Sequence, residues 1–236
     1  KSSAWALVDS SMLYFCSRGR PFCKVALTGE CADDIFGGYP WFHREDCLKA
    51  RTFPWTMDLK ARQVLLKDEF LRELKMEEYV RQTYEASLAQ VPSLPGESAQ
   101  EARRREISYL NLKWFMQTLL NRMDRTSMYS GLEARVPLAD HRIMEYLWNV
   151  PWEMKARDGM VKHLLRQAGR GRLPDEILFR RKSPYPKTYD KGYETLLAGK
   201  DRQIMEDSSS PVLKFMDKEK TELFLSSPSD YGRPWY

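Results

Sequence analysis

Several things are missing from this 236-residue chain, and each absence removes a class of protein. No apolar run approaches the length needed to span a bilayer, which excludes a membrane partner through a spanning helix, and no secretory signal is visible. The four cysteines, Cys16, Cys23, Cys31 and Cys47, show no C-x-x-C spacing and have no His pair nearby. That gives neither a zinc site nor a disulfide framework, so reduced thiols in a cytoplasmic protein are the expectation. There is no internal repeat and no low-complexity segment. Charge of one sign is not gathered anywhere: the net charge of +5 is spread over short clusters interleaved with acids. Such a balance suits an anionic ligand such as a nucleotide or pyrophosphate and gives no nucleic-acid partner.

What is present is a globular composition, with 42% apolar residues and seven tryptophans, enough for a substantial core. Residues 3–17 carry Trp5, Leu7, Val8, Met12, Leu13 and Phe15 on a helical pattern that Arg18-Gly19-Arg20-Pro21 ends. A short helix over Trp41 to Ala50 follows, and a core-facing amphipathic helix runs from Met76 to Val91. Ser98 to about Ser130 contains no Gly or Pro and reads as one helix or two in tandem, stopped by Gly131. Asp140 is a candidate N-cap for a helix over His141 to Val150. Further helices are expected at Val161–Gln167 and Asp175–Arg181, with helical pieces beyond Pro184.

One strand is legible, the apolar run Val25-Ala26-Leu27, read as a buried parallel strand. An isolated parallel strand cannot form a sheet, so its partners are expected in stretches read otherwise or outside this sequence. Behind it, Thr28-Gly29 turns the chain into a helix-like segment that Gly37-Gly38 closes. Glu30, Asp33 and Asp34 are spaced i, i+3 and i+4, which predicts one shared helix face at the carboxyl end of the strand, where open α/β sheets bind ligands. Three acids there suit Mg²⁺ or an amine. Acids in the first turn of any helix also favour its dipole by about 0.3–1 kcal/mol each, with no function implied.

Three basic groups stand at segment ends. Arg122 and Arg125 lie one turn apart, a spacing that fits phosphate oxygens or, more simply, a helix C-terminus. Lys162 opens a second group as a phosphate ligand or an exposed helix lysine, next to a lone His163. The third, Phe179-Arg180-Arg181-Lys182-Ser183-Pro184-Tyr185-Pro186-Lys187, leaves a helix for a Pro-held loop that presents fixed charges or a solvated run.

In this order the residues resemble the synthetase domain of glutamine-hydrolysing asparagine synthetases. The family's turn S-G-E-x-x-D-E-x-F-G-G-Y is matched by Thr28 to Tyr39, and its G-[LV]-E-x-R-V-P-x-x-D-H-R block by Gly131 to Arg142. K-x-x-L-R is matched by Lys162 to Arg166, L-P-x-x-[IV] by Leu173 to Ile177, and R-x-K-S-P-[YF]-P by Arg180 to Pro186. The resemblance implies an α/β fold of the ATP-pyrophosphatase, adenine nucleotide alpha hydrolase-like type. This stretch of it would be mainly α-helical with one or few parallel strands: residues 1–50 from the sheet, residues 51–236 a helical extension. It also implies ATP and Mg²⁺ as cofactors, with aspartate and ammonia from a glutaminase domain as partners. The aspartate carboxylate would attack the α-phosphorus of ATP to give β-aspartyl-AMP and pyrophosphate, and ammonia would then displace AMP to give asparagine.

Carried over residue by residue, the resemblance implies that Glu30 serves the ammonia step and that Lys182 neutralises charge on the α-phosphate and departing pyrophosphate. Arg122 and Lys162 are implied as further cations around pyrophosphate, Thr28 and Gly29 as the nucleotide-binding turn, and Asp33 as a metal ligand. Thr28 replaces the usual Ser, Asp34 the usual Glu, and Asn121 an Asp found in many relatives. No S-G-G-x-D-S loop and no nucleophilic Cys of a glutaminase domain occur, and the chain begins at Lys1 without Met. The expectation is a C-terminal fragment that lacks ATP affinity alone, from a parent for which a homodimer is open. A related enzyme that adenylates another carboxylate, as β-lactam synthetases do, and a non-catalytic basic helical binding module are the alternatives.

Overall fold

The computed structural model describes residues 6–57, 59–182 and 191–226. The Pro-held end of the third basic group, Ser183 to Lys187, lies outside the described residues, as do Trp5 and the tail to Tyr236. The described chain is mainly helical and holds two strands, β1 (Val25–Leu27) and β2 (Glu133–Arg135), in agreement with the expected class. They pair in parallel, with Val25 opposite Glu133 and Leu27 opposite Arg135. One of the two therefore comes from the stretch read as a helical extension. The expectation of a buried strand is overturned. Val25 and Leu27 are exposed, Leu27 to 75%, because side chains alternate across a strand and Ala26 takes the packed face.

The chain divides into two compact units, residues 1–55 with 85–185 and residues 56–84 with 186–236. In the first, helix Ala6–Gly19 turns Asp9, Met12 and Cys16 inward at positions i, i+3 and i+7, and Met12 and Cys16 form a core cluster with Leu132, Ala26 and Met123. The long Gly- and Pro-free stretch is one continuous helical run, Ala99–Leu110 and Met116–Tyr129 joined by a π-helical turn at Asn111–Phe115. Ser98 caps it, with Oγ accepting from the Glu101 N–H at 3.3 Å. Gly131, at φ +72°, ends it in a left-handed turn that lets Leu132 N–H reach the Ser127 carbonyl at 2.9 Å.

A second core cluster gathers Ile35, Phe36 and Leu147 with Ile143, Leu164 and Leu165. Helix His141–Trp148 starts where expected, with Asp140 Oδ1 accepting from the Arg142 N–H at 2.9 Å. The helices expected over 161–167 and 175–181 occupy His163–Gly169 and Asp175–Leu178, so Arg180 to Lys182 lie in coil.

In the second unit, the described helices are Lys60–Gln63, Asp68–Leu74, Lys191–Glu206 and Lys218–Ser226, together with most of Met76–Leu88. Distant segments are tied by backbone bonds, Lys67 N–H to Phe215 O and Asp217 N–H to Leu65 O, both 2.9 Å, and by Phe70 against Phe215 at 4.8 Å. Arg202 grips Glu222 with Nε and Nη2 at 2.8–3.1 Å. Along Met76–Leu88 the inward face is narrower than its periodicity suggests: Tyr84 is buried and Tyr79 exposed. No helix among the described residues is long and apolar enough to cross a membrane.

Candidate functional site at the carboxyl end of β1

The turn after β1 is held by its own backbone. Thr28 N–H donates to Arg135 O at 2.9 Å, and Thr28 Oγ1 accepts from Glu30 N–H at 3.4 Å. Gly29 is exposed, with nothing within 4 Å of where a Cβ would stand. Cys31 then adopts a left-handed conformation, φ +73°, which costs roughly 1–2 kcal/mol for a residue with a Cβ. Helix proper covers only Ala32–Ile35. The predicted single face of three acids is therefore overturned: Glu30 precedes the left-handed residue, and each carboxylate meets a different partner.

Asp33 meets two lysines. Lys162 Nζ lies 3.0 Å from Oδ1 and Lys182 Nζ 3.2 Å from Oδ2. Lys182 also donates to Gly38 O at 3.1 Å and stands 4.3 Å over the Tyr39 ring, which itself stacks on Trp41. Gly38 is required by this arrangement, because a Cβ there would fall 1.8 Å from Asp33 Oδ1. Lys162 is a second left-handed residue, φ +57°, immediately before helix His163–Gly169. The adjoining cleft of about 470 Å³ is lined by Asp33, Lys162, Arg166, Arg180, Arg181 and Lys182, among others. Arg166 is committed to structure, donating to the carbonyls of Val161, Leu178 and Arg180. His163 is satisfied locally, 3.2 Å from the Gln167 amide.

Glu30 meets Arg122. The Arg122 Nη2 is 3.6 Å from Glu30 Oε1, and its Nε is 3.8 Å from Asp9 Oδ1, so one guanidinium stands between two carboxylates. All three side chains are largely buried. Burial pushes the Glu30 carboxyl above its usual range, Arg122 opposes that, and the Asp33 charge adds to it. Arg125, one turn away, is exposed.

Asp34 faces inward, 2% exposed, and its Oδ1 accepts from Asn111 Nδ2 at 2.7 Å. Asn111 in turn accepts from Trp41 Nε1 at 3.2 Å. Burial raises Asp34 to about 6, with the Asn111 hydrogen bond partly offsetting it. Burial likewise raises Tyr39, and pushes the Cys31 thiol up to about 12, which leaves it inert at neutral pH.

The expected site residues Thr28, Gly29, Glu30, Asp33, Arg122, Lys162 and Lys182 thus fall in one region of the first unit, linked by the contacts above. Asp9, beside Arg122, and Asn111, beside Asp34, carry no signal in the sequence beyond their type, whereas Asp34 stands out by its spacing from Glu30 and Asp33. Asp33, expected as a metal ligand, is placed as counter-ion to two ammonium groups. In this arrangement the donor set does not fit a magnesium ion: both Asp33 oxygens face cations, and among the described residues no three acids, His or Cys converge.

The site thus consists of a parallel strand pair in a helical body, with a polar loop and two lysines meeting on Asp33 at the carboxyl end of β1. The family model for asparagine synthase matches residues 4–235, and the chain belongs to that family. It is 45% identical over 230 residues to the glutamine-hydrolysing asparagine synthetase 3 of Bacillus subtilis (strain 168), covering 97% of this chain and 37% of that protein. The asparagine synthetase 1 of the same organism is 27% identical over 206 residues, covering 74% of this chain and 32% of that protein. The human glutamine-hydrolysing asparagine synthetase is 43% identical over 67 residues, covering 27% of this chain and 12% of that protein. The chain therefore spans about a third of the length of the two bacterial relatives.

Proposed function

We propose that this chain supplies the acid and lysine side of the adenylating site in an ATP-dependent, glutamine-hydrolysing asparagine synthetase. Aspartate is activated on its side-chain carboxylate, and ammonia from a glutaminase domain converts β-aspartyl-AMP to asparagine and AMP. The observation that carries this reading is the convergence of Lys162 and Lys182 on Asp33 beside the Glu30–Arg122 pair. Two ammonium groups held on one carboxylate are preorganised cations that need little displacement to meet phosphate oxygens. They would neutralise charge gathering on pyrophosphate as it leaves. Arg166 and the bond from Lys182 to Gly38 hold the surrounding coil in shape.

Glu30 has a different part. A carboxylate raised by burial and steadied by a guanidinium suits removal of a proton from the attacking ammonia nitrogen. Thr28 and Gly29 present an open backbone turn on which a nucleotide can lie. Magnesium is the family's implied companion of ATP, where it shields phosphate charge; no step here is assigned to it. The four free cysteines support a cytoplasmic protein.

The test is Glu30→Gln in the full-length protein. Pyrophosphate exchange with aspartate and ATP should persist near the parent rate, while ammonia-dependent synthesis falls by about 10²–10⁴-fold, the range of a lost general base. Equal loss of both steps would remove Glu30 from this role.

A further inference from the structure

A second cationic pocket lies in the first unit, between the start of helix Ala99–Leu110 and the short helix Trp152–Lys155. It is a cavity of about 130 Å³ lined by Glu97, Glu101, Arg104, Arg105, Trp148 and Lys155, among others. None of these residues belongs to the Asp33 cluster.

Its charges are unequally satisfied. Arg105 is held by two hydrogen bonds: Nε donates to Glu97 Oε2 at 2.9 Å and Nη1 to Trp148 O at 3.0 Å. Glu97 is held in turn by Leu94 N–H at 3.1 Å. Arg104 lies 4.9 Å from the Trp152 ring centroid, and its buried Nε has no hydrogen-bond partner among the described residues. Glu101 acts on Arg104 through space but forms no ion pair with it within 4 Å. Lys155 is the anomaly. It is 7% exposed, lines the cavity, and has no carboxylate within ion-pair distance among the described residues. Burial lowers the ammonium to about 8, and Arg105, a charge of the same sign, adds to that.

An ammonium on so little-exposed a side chain is unfavourable without a counter-charge, and at neutral pH this one keeps its proton. The indoles of Trp148 and Trp152 wall the space. What would relieve Lys155 and the open Arg104 Nε together is an acceptor-only group with a negative charge and at least two oxygens.

We propose that this cavity is a binding site for a small oxyanion, a carboxylate or a tetrahedral phosphate-like group, held by Lys155 and Arg104 between Trp148 and Trp152. The volume admits the charged head of a metabolite and not a nucleotide. Glu101 also lines the cavity, accepts from Ser98 Oγ at 3.4 Å and has no ion-pair partner among the described residues, so it disfavours a polyanion. The site is independent of the chemistry at Asp33.

The experiment is calorimetric titration of the full-length protein carrying Lys162→Met and Lys182→Met, which silences the other cationic cluster. Sulfate and acetate are the probes, each against chloride at matched ionic strength. Saturable binding of either, weakened about tenfold or more by Lys155→Met, supports the site; the preferred probe tells a tetrahedral head from a carboxylate. No binding, or binding unchanged by Lys155→Met, overturns it. Acetic anhydride labelling of Lys155, read by mass spectrometry, needs no variant at this position. The preferred probe should cut labelling severalfold, and labelling that sulfate and acetate both leave unchanged overturns the site as well, including the case in which another segment of the full-length protein already covers the lysine.

Discussion

Asn111 donates its side-chain N–H to Asp34 Oδ1 across 2.7 Å, joining a π-helical turn to the short helix behind β1 through two buried polar groups. The second Asp34 oxygen, Oδ2, is buried without a hydrogen-bond partner among the described residues. The bond from Asn111 therefore carries much of what makes this carboxylate tolerable. Asn111→Leu should destabilise the protein at pH 7 by about 3 kcal/mol, the cost of leaving a buried charge unpaired, as read by urea unfolding. The loss should shrink at pH 5, where Asp34 is protonated. An equal loss at both pH values would show that packing, not charge, sets the cost.

The same carboxyl gives a pH dependence whose sign is fixed. Its folded value, about 6, lies above the ordinary 3.8, so between those values the folded state holds a proton that the unfolded state has released. Stability from this group is full below about 4, falls as pH rises to about 6, and stays low above. The span is about 3 kcal/mol at 1.36 kcal/mol per unit. Asp34→Asn keeps an acceptor for Asn111 and should flatten that slope; a slope unchanged in the variant assigns it elsewhere.

Gly38→Ala tests the two-lysine cluster without touching a charge. The new Cβ would meet Asp33 Oδ1 and push the carboxylate off its lysines. Displacement by about 1 Å at a positioning group costs on the order of 10²-fold in rate, so pyrophosphate exchange should fall by that order. Some thermal stability should be lost as well, since the Cβ would also crowd Asp33 Cγ and its backbone Cα, though Gly38 itself is not in a left-handed conformation. Loss of folding in place of exchange would show the loop to be a structural keystone instead.

Asp9→Asn addresses the guanidinium from its other side. Removing this negative charge lets Arg122 serve Glu30 alone, which lowers the Glu30 carboxyl from its raised position. The acid limb of the pH profile for ammonia-dependent synthesis should move to lower pH. A limb that stays fixed or moves upward would separate Asp9 from the Glu30 chemistry.

Residues that sit together in sequence were the legible ones. The apolar run of β1 announces a strand, and the Thr28 to Tyr39 turn announces a ligand end. β2 announces nothing, since Glu133-Ala134-Arg135 has no apolar pattern and becomes a strand through the edge that β1 offers it. Asp9 and Asn111 read as an early helix acid and a helix-interior polar residue. Their burial comes from partners far away in the chain, which no local period encodes. The shared acid face failed for a backbone reason, because Cys31 takes a conformation that composition favours in glycine. Spacing also located the helix at Asp140 correctly, since a cap is a local bond.

The π turn at Asn111–Phe115 makes the register of this helix a counted quantity. It holds one residue more than an α-helical ladder would need. Deleting a single residue there would restore the ordinary ladder and turn everything after it by about 100°. Arg122, seven residues beyond Phe115, would swing away from Asp9 and Glu30 while Asn111 stayed in place. Chain length in this one turn thus sets the phase between two halves of the polar network, and a shortened relative would need a different cation opposite Glu30.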